Sequence, residues 1–123
     1  MDTDSEKPIL VYLRTSQLTY ESQGGRQWNA LEEYNKKITM KNPYAIGYYP
    51  SRHYWDSDSR DFMEGFLYKS LSDMEAANTK MLALIETNWP NKKERKAFMD
   101  TMEKGFTGIH GDYVYRNEPT MNK

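Results

Sequence analysis

The sequence predicts an α+β domain in which one antiparallel four-stranded sheet carries helices on one face. Three observations support this prediction. The chain has 123 residues, the length of one ordinary domain. Strand-like and helix-like apolar periods alternate along it. Aromatic residues make up 14% of the chain, whereas disordered chains lack them, so the composition favours a folded protein.

The first part of the chain predicts a strand followed by a helix. The strand covers Ile9 to Gln17, an apolar and β-prone run that begins after Pro8. A helical period starts at Arg26 and ends before Pro43, because the residue preceding a proline disfavours the α conformation. The side chains predicted to share one face of this helix are Trp28, Leu31, Asn35 and Ile38.

The middle of the chain predicts a β-hairpin. Its first strand, Ala45 to Asp56, contains Pro50, which cannot donate a hydrogen bond to a neighbouring strand, so we expect an edge strand or a bulge. A turn is predicted from Asp56 to Ser59. The second strand covers Arg60 to Lys69, with Phe62, Glu64, Phe66 and Tyr68 on one face and Met63, Gly65 and Leu67 on the other.

The last part of the chain predicts two helices and a final strand. Ser72 and Glu75 have the spacing of a capping box, and Pro90 ends the helix that they begin. Asn91 and Glu94 predict the cap of a third helix, whose end is predicted at Gly105 and Gly108. The side chains expected to point inward from this segment are Ala97, Phe98, Met102 and Phe106. The final strand is predicted from Ile109 to Arg116.

The resulting element order is β-α-β-β-α(α)-β. Right-handed crossovers convert this order into a sheet with strand order 4-1-3-2 and helices on one face, which is the ferredoxin-like arrangement. We expect this domain to span residues 9–116, with flexible tails at residues 1–8 and 117–123.

The second face of the predicted sheet is also apolar. In the first strand, Ile9, Val11 and Leu13 lie on one side and Leu10 and Tyr12 on the other. In the aromatic strand, Ile46, Tyr48 and Tyr54 lie on one side and Tyr49, His53 and Trp55 on the other. Helices cover one face only, so the sequence predicts a homodimer in which two sheets pack against each other.

Two segments carry a family resemblance. The run from Arg52 to Phe62 (RHYWDSDSRDF) and the run from Tyr68 to Ala77 (YKSLSDMEAA) are similar to uncharacterised dimeric ferredoxin-like proteins of marine and environmental bacteria. The chain thus resembles the dimeric α+β barrel superfamily over residues 9–116. That superfamily includes cofactor-free monooxygenases, haem-binding and haem-degrading enzymes, and many members of unknown role.

The candidate functional residues are histidines and aromatic residues. His53 and His110 are the only histidines, so any imidazole catalysis rests on them; the alternative is that each simply packs or hydrogen-bonds. An apolar pocket between sheet and helices is predicted to bind a ligand through Tyr12, Tyr49, Trp55, Tyr68, Met81 and Tyr113. The alternative is that these residues form ordinary core and interface.

Acidic residues near the hairpin give a weaker signal. Asp56, Asp58 and Asp61 either hold a hard cation or make turn hydrogen bonds and pair with neighbouring arginines. The second interpretation is favoured, because the glycine and the final glutamate of a calcium loop are missing. We therefore expect no metal site and no cofactor.

Composition excludes several other classes. With 17 basic and 18 acidic residues, the chain lacks the basic surplus of a nucleic-acid binder. The absence of cysteine removes disulfides and thiolate metal sites. No apolar run approaches about 18 residues, so we expect no membrane partner. The acidic stretch before Pro8 is unlike a signal peptide, which makes a cytoplasmic location the default, although a mature secreted form would look the same.

These observations favour a homodimeric protein that binds a small hydrophobic or amphipathic molecule. One alternative is a cofactor-independent oxygenase or isomerase with His53 as base. The other is a purely structural dimerisation module.

Overall fold

The sheet has the predicted strand order, β2-β3-β1-β4, and each neighbouring pair is antiparallel. A computed structural model describes residues 9–19, 25–52 and 60–121. Its strands and helices, in chain order, are β1 Leu10–Leu18, α1 Arg26–Lys37, β2 Gly47–Arg52, β3 Asp61–Tyr68, α2 Leu71–Asn88, α3 Lys92–Glu103 and β4 Phe106–Arg116. This order confirms the ferredoxin-like α+β class. Two short 3₁₀ turns, Thr39–Lys41 and Pro119–Met121, were not predicted.

The helices pack on one face of the sheet. Leu18, Ala30, Leu31, Phe62 and Met102 form the buried core cluster between them. Phe62 is 2% exposed, and its ring packs edge-on against Trp28 of α1 at a centroid distance of 5.4 Å. Burial of a Phe side chain contributes about 1.5–3 kcal/mol, so this position is a main anchor of α1 on the sheet.

No helix among the described residues covers the opposite face of the sheet. Strand alternation and the register place the following side chains there: Val11, Leu13, Tyr49, Met63, Leu67, Tyr113 and Tyr115. Tyr49 and Tyr115 are 63% and 53% exposed. The Tyr113 and Tyr115 rings stack with centroids 6.2 Å apart, so this side of β4 presents a flat aromatic surface. Below, these seven residues are called the open sheet face.

The register brings charged residues together on the helix-facing side. Arg14 of β1 lies opposite Glu64 of β3 on one side and opposite Asp112 of β4 on the other. The β1–β4 register shifts between Ser16 and Leu18. Near this irregularity, Gly108 has φ +93°, which an L residue rarely adopts.

The cap of α2 differs from the prediction. Ser70, not Ser72, precedes the helix, and its hydroxyl accepts a hydrogen bond from the Asp73 N–H at 3.1 Å. Ser70 and Ser72 both fit a capping pattern, but β3 ends at Tyr68, so the helix begins directly after the two-residue connection. The predicted cap of α3 is confirmed, because Asn91 Oδ1 accepts from the Glu94 N–H at 3.0 Å.

Several boundaries also differ. α3 ends at Glu103, and Gly108 lies inside β4 instead of ending the helix, because the strand begins at Phe106. Ala97 is exposed and does not point inward. β2 begins at Gly47 rather than at Ala45. The rest of the predicted aromatic strand and its turn, residues 53–59, lie outside the described residues.

Candidate functional site

A cavity of about 900 Å³ lies between the helix-facing side of the sheet and the helices. Its helical walls carry methionines and its sheet wall carries aromatic rings; the apolar side chains that line it include Met74, Met81, Met99, Met102, Phe66, Tyr68 and Phe106. Methionine is flexible and polarisable, so such walls adapt to the shape of an apolar group.

A buried carboxylate lies on the sheet wall of this cavity. Glu64 is 6% exposed, and the Tyr48 hydroxyl donates a hydrogen bond to its Oε2 at 2.6 Å. Asn35 of α1 donates to the Tyr48 oxygen at 3.0 Å, and the Thr39 hydroxyl donates to Asn35 Oδ1 at 2.8 Å. α1 is thereby linked through a chain of hydrogen bonds to the middle of the sheet.

Burial dominates the titration of this group. Loss of water raises the pKa of Glu64 above its ordinary value, although the Tyr48 hydrogen bond and the Arg14 charge act in the opposite direction. Burial also raises the pKa of Tyr48, and the nearby Glu64 charge adds to the shift. The pair therefore holds its protons more firmly than the same groups in water.

A second polar group lies where β1 meets β4. Arg14 Nε donates to Asp112 Oδ1 at 3.2 Å, and Arg14 Nη2 donates to the Tyr12 oxygen at 3.3 Å. The Tyr12 hydroxyl donates to the same carboxylate, and His110 Nδ1 lies 2.7 Å from Asp112 Oδ2. The Tyr12 hydrogen bond, followed by those of Arg14 and His110, lowers the pKa of Asp112. Asp112 thus orients three different side chains.

The structure brings together some of the predicted site residues. Tyr12, Tyr68, Met81 and His110 line the cavity. Tyr49 and Tyr113 belong to the open sheet face and therefore do not line it. His53 and Trp55 lie outside the described residues, as do Asp56 and Asp58. Within the described part of the chain, no group of three histidine or acidic side chains is arranged to hold a metal ion.

The sequence prediction missed the polar residues of the cavity. Glu64 was assigned to the same strand face as Phe62, Phe66 and Tyr68, but without a role. The sequence pattern that could have revealed a role for Glu64 is a charged residue on an otherwise apolar face of a strand. Arg14 shows the same pattern in the first strand.

A smaller groove of about 600 Å³ lies between α1 and the edge strand β2. Leu31, Asn35, Thr39 and Ala45 line both this groove and the main cavity. Tyr48 lines the groove, whereas Glu64 lines the cavity. The Asn35–Tyr48–Glu64 hydrogen bonds therefore form part of the wall between the two spaces.

By fold, the chain is a ferredoxin-like α+β protein of the kind found in dimeric α+β barrels, so the resemblance noted in the sequence is confirmed at this level. No family model matches the chain, and no curated protein matches it in sequence. Solved structures with a similar fold are known, however. A conserved protein from Methanosarcina mazei Go1 has a TM-score of 0.62 and 10% identity, with 93% of this chain and 96% of that one covered.

Two further similar structures come from proteins with a stated activity or oligomeric state. SnoaB from Streptomyces nogalater, a cofactor-independent oxygenase, has a TM-score of 0.60 and 3% identity, with 94% of this chain and 98% of that one covered. A dimeric ferredoxin-like protein of unknown function from Thermobifida fusca YX has a TM-score of 0.58 and 7% identity, with 91% and 93% covered. At such identities the likeness shows the fold alone. Among the described residues, no helix is both long and apolar enough to cross a membrane.

Proposed function

We propose that this protein binds a small hydrophobic or amphipathic molecule in the cavity between its sheet and its helices. The observation that carries this proposal is the cavity itself, which at about 900 Å³ has the size of a small-molecule site. Its lining is largely apolar, and polar groups border it on both walls, among them the buried Glu64 on the sheet. This combination suits a ligand with an apolar body and one polar end.

The buried Glu64 supports a binding role over simple core packing. A carboxylate that is 6% exposed costs stability, because its charged form loses hydration. A purely structural module gains nothing from this cost, whereas a ligand site uses such a group to orient its ligand.

A fluorescent probe tests the cavity directly. N-Phenyl-1-naphthylamine is neutral at pH 8 and brightens in apolar surroundings. We expect the protein to enhance its emission, and Met81→Trp to reduce the enhancement because the larger indole occupies part of the space. Leu82→Trp is the matched control, since Leu82 neighbours Met81 but is 56% exposed and does not line the cavity. Equal enhancement by both variants, or none by the parent protein, would contradict the proposal.

We further propose that two copies pair through the open sheet face. The tyrosines of this face and Met63 are exposed, and even the least exposed of them, Met63, has an exposed fraction of 42%. The description of the Thermobifida fusca protein as dimeric agrees with this arrangement. Light scattering should give about twice the chain mass of 14.6 kDa. Tyr115→Glu should give the monomer mass, whereas Tyr44→Glu, an exposed tyrosine away from this face, should not.

The His110–Asp112 contact favours a second candidate, a cofactor-independent enzyme. His110 lines the cavity, and a histidine oriented by a carboxylate can act as a general base. Arg14 contacts the same carboxylate, and its N–H groups that are not bound to Asp112 or Tyr12 can stabilise an enolate-like anion.

Proton exchange at carbon tests this candidate. The methyl protons of 1-acetonaphthone should exchange in D₂O faster with the protein than with free imidazole at equal concentration. His110→Ala should remove the acceleration and Asp112→Asn should reduce it. A rate equal to that of imidazole would count against catalysis and leave the binding function as proposed.

A further inference from the structure

We propose that the cavity selects an organic cation, namely a small molecule in which an aromatic or aliphatic body carries a protonated amine. This inference rests on the binding function proposed above and specifies its ligand class.

The charge on the cavity lining is negative. Among the described residues that line it, Arg14 is the only lysine or arginine, whereas Glu64, Glu75 and Glu103 are acidic. Arg14 is already engaged, because its Nε and Nη2 donate to Asp112 and Tyr12. Arg14 is thus shared between Asp112, which lies outside this set, and Glu64, so the acidic residues on and beside the lining outnumber this one cation.

Glu64 is the side chain best placed to hold a positive group. The Tyr48 hydroxyl donates to Oε2, and no described residue donates to Oε1. Arg14 lies opposite in the sheet but makes no ion pair with Glu64 among the described contacts within 4.0 Å. An ammonium group offers three donors and a full charge, so it could hydrogen-bond to Oε1 and reduce the cost of burying the carboxylate.

The walls around Glu64 also favour a cation. Tyr12, Tyr34, Phe66 and Tyr68 line the same cavity. Faces of aromatic rings attract cations within about 6 Å, and this attraction increases when water is excluded. The two exposed glutamates, Glu75 on α2 and Glu103 at the end of α3, attract the same charge from the helical side.

An anionic ligand is disfavoured by the same arrangement. Its charge would lie near the glutamates, and the charge of Arg14, the one lysine or arginine among the described lining residues, is already offset by Asp112. Like charges in a partly dry cavity repel each other more strongly than in water.

The experiment compares three probes with one ring system: 1-naphthylmethylamine, 1-naphthalenemethanol and 1-naphthoate. Calorimetry on the full chain at pH 7.5 measures the affinity for each. We expect the amine to bind at least about tenfold more tightly than the naphthoate, with the alcohol between them, as a charge-assisted hydrogen bond predicts. Equal affinities, or tighter binding of the naphthoate, would overturn the inference.

Two sets of variants locate the charge. Glu64→Gln keeps the acceptor for Tyr48 and removes the negative charge, so the affinity for the amine should fall about tenfold while that for the alcohol is unchanged. Should Glu64→Gln fail to fold, the double variant Glu75→Gln/Glu103→Gln should reduce the preference for the amine. Glu94→Gln, on an exposed part of α3 outside the cavity, is the matched control and should have no effect. An unchanged preference in the charge-removed variants would overturn the assignment.

Failure of this inference can be distinguished from failure of the binding function. If the alcohol binds and Met81→Trp weakens its binding, but the amine has no advantage, the cavity is a ligand site without charge selection. If Met81→Trp has no effect on any probe, the cavity is not the binding site and both proposals are wrong.

Discussion

The hydrogen bond from Tyr48 to Glu64 gives the sharpest test of the buried site. Tyr48→Phe removes one hydroxyl that donates to Glu64 at 2.6 Å and accepts from Asn35 at 3.0 Å. The aromatic ring, which packs against Phe66 at a centroid distance of 4.9 Å, is retained. The substitution therefore changes hydrogen bonding and leaves most of the packing intact.

The expected cost depends on the charge of Glu64. A hydrogen bond to a charged group contributes about 1.5–3 kcal/mol, and one between neutral groups contributes about 0.5–1.5 kcal/mol. A high pH favours the ionised form of the Glu64 carboxylate, so the measurement is made at pH 8.5. There we expect Tyr48→Phe to lower the free energy of unfolding by about 2–3 kcal/mol. With Glu64→Gln as background, the same substitution should cost about 1 kcal/mol, because the acceptor is now neutral.

The assay is urea unfolding followed by circular dichroism, with the parent, both single variants and the double variant at one protein concentration, since association would shift the apparent stability. The coupling energy from this double-mutant cycle should be about 1–2 kcal/mol. Tyr49→Phe is the control, because Tyr49 is the next residue in β2 but belongs to the open sheet face; its cost should stay below about 0.5 kcal/mol. A coupling energy below about 0.5 kcal/mol would refute the assignment of Glu64 as a buried, charged acceptor.

Three further predictions follow from the fold and the site. Burial raises the pKa of Glu64 above its ordinary value of 4.5, so between pH 4.5 and the raised pKa the folded state holds this proton more firmly than the unfolded state, and stability falls as pH rises. In that window the stability of Glu64→Gln relative to the parent should rise by at most about 1.4 kcal/mol per pH unit, and a flat difference would contradict the raised pKa. Ser70→Ala should lower the free energy of unfolding in urea by about 1 kcal/mol, and Ser72→Ala should lower it by less than about 0.5 kcal/mol. A larger loss for Ser72→Ala than for Ser70→Ala would instead support the capping box predicted from the sequence. Gly108→Ala should cost about 1–2 kcal/mol because of its φ of +93°, although no atom lies within 4 Å of the added methyl group; a neutral result would mean that this backbone can relax.

The fold could be predicted because its determinants are local. Alternation in β3 correctly placed Phe62 and Tyr68 on one face, which the structure shows to be the helix-facing one, and the handedness of crossovers then fixed the strand order. The Asn91 cap was also predictable, because a single polar residue precedes that helix. At α2 two serines compete for the role of cap, and the choice depends on where β3 ends, which the periodicity gives only to within a few residues.

The site could be predicted only in part, because it depends on register. The sequence shows that Arg14, Glu64 and Asp112 lie on strands, but not that Arg14 faces both acids. That pairing depends on the register of each strand pair, including the shift between Ser16 and Leu18, and a slip of one residue would move a whole strand to the other face. Alternation likewise assigns Glu64 to a face without showing that a cavity lies over it.

The alternation of β1 also explains how one sheet can serve two purposes. Val11 and Leu13 belong to the open sheet face, whereas Tyr12 and Arg14 face the helices. Burying both faces of a central strand usually requires apolar residues throughout. In β1 the charged Arg14 lies on the face that borders the cavity, where Asp112 can pair with it, whereas Val11 and Leu13, together with the polar Thr15 and Gln17, lie on the face that we propose a second copy covers. The proposed dimer interface and the proposed ligand site are thus separated by the thickness of one sheet, and a substitution such as Tyr115→Glu should dissociate the dimer without changing any residue of the cavity lining.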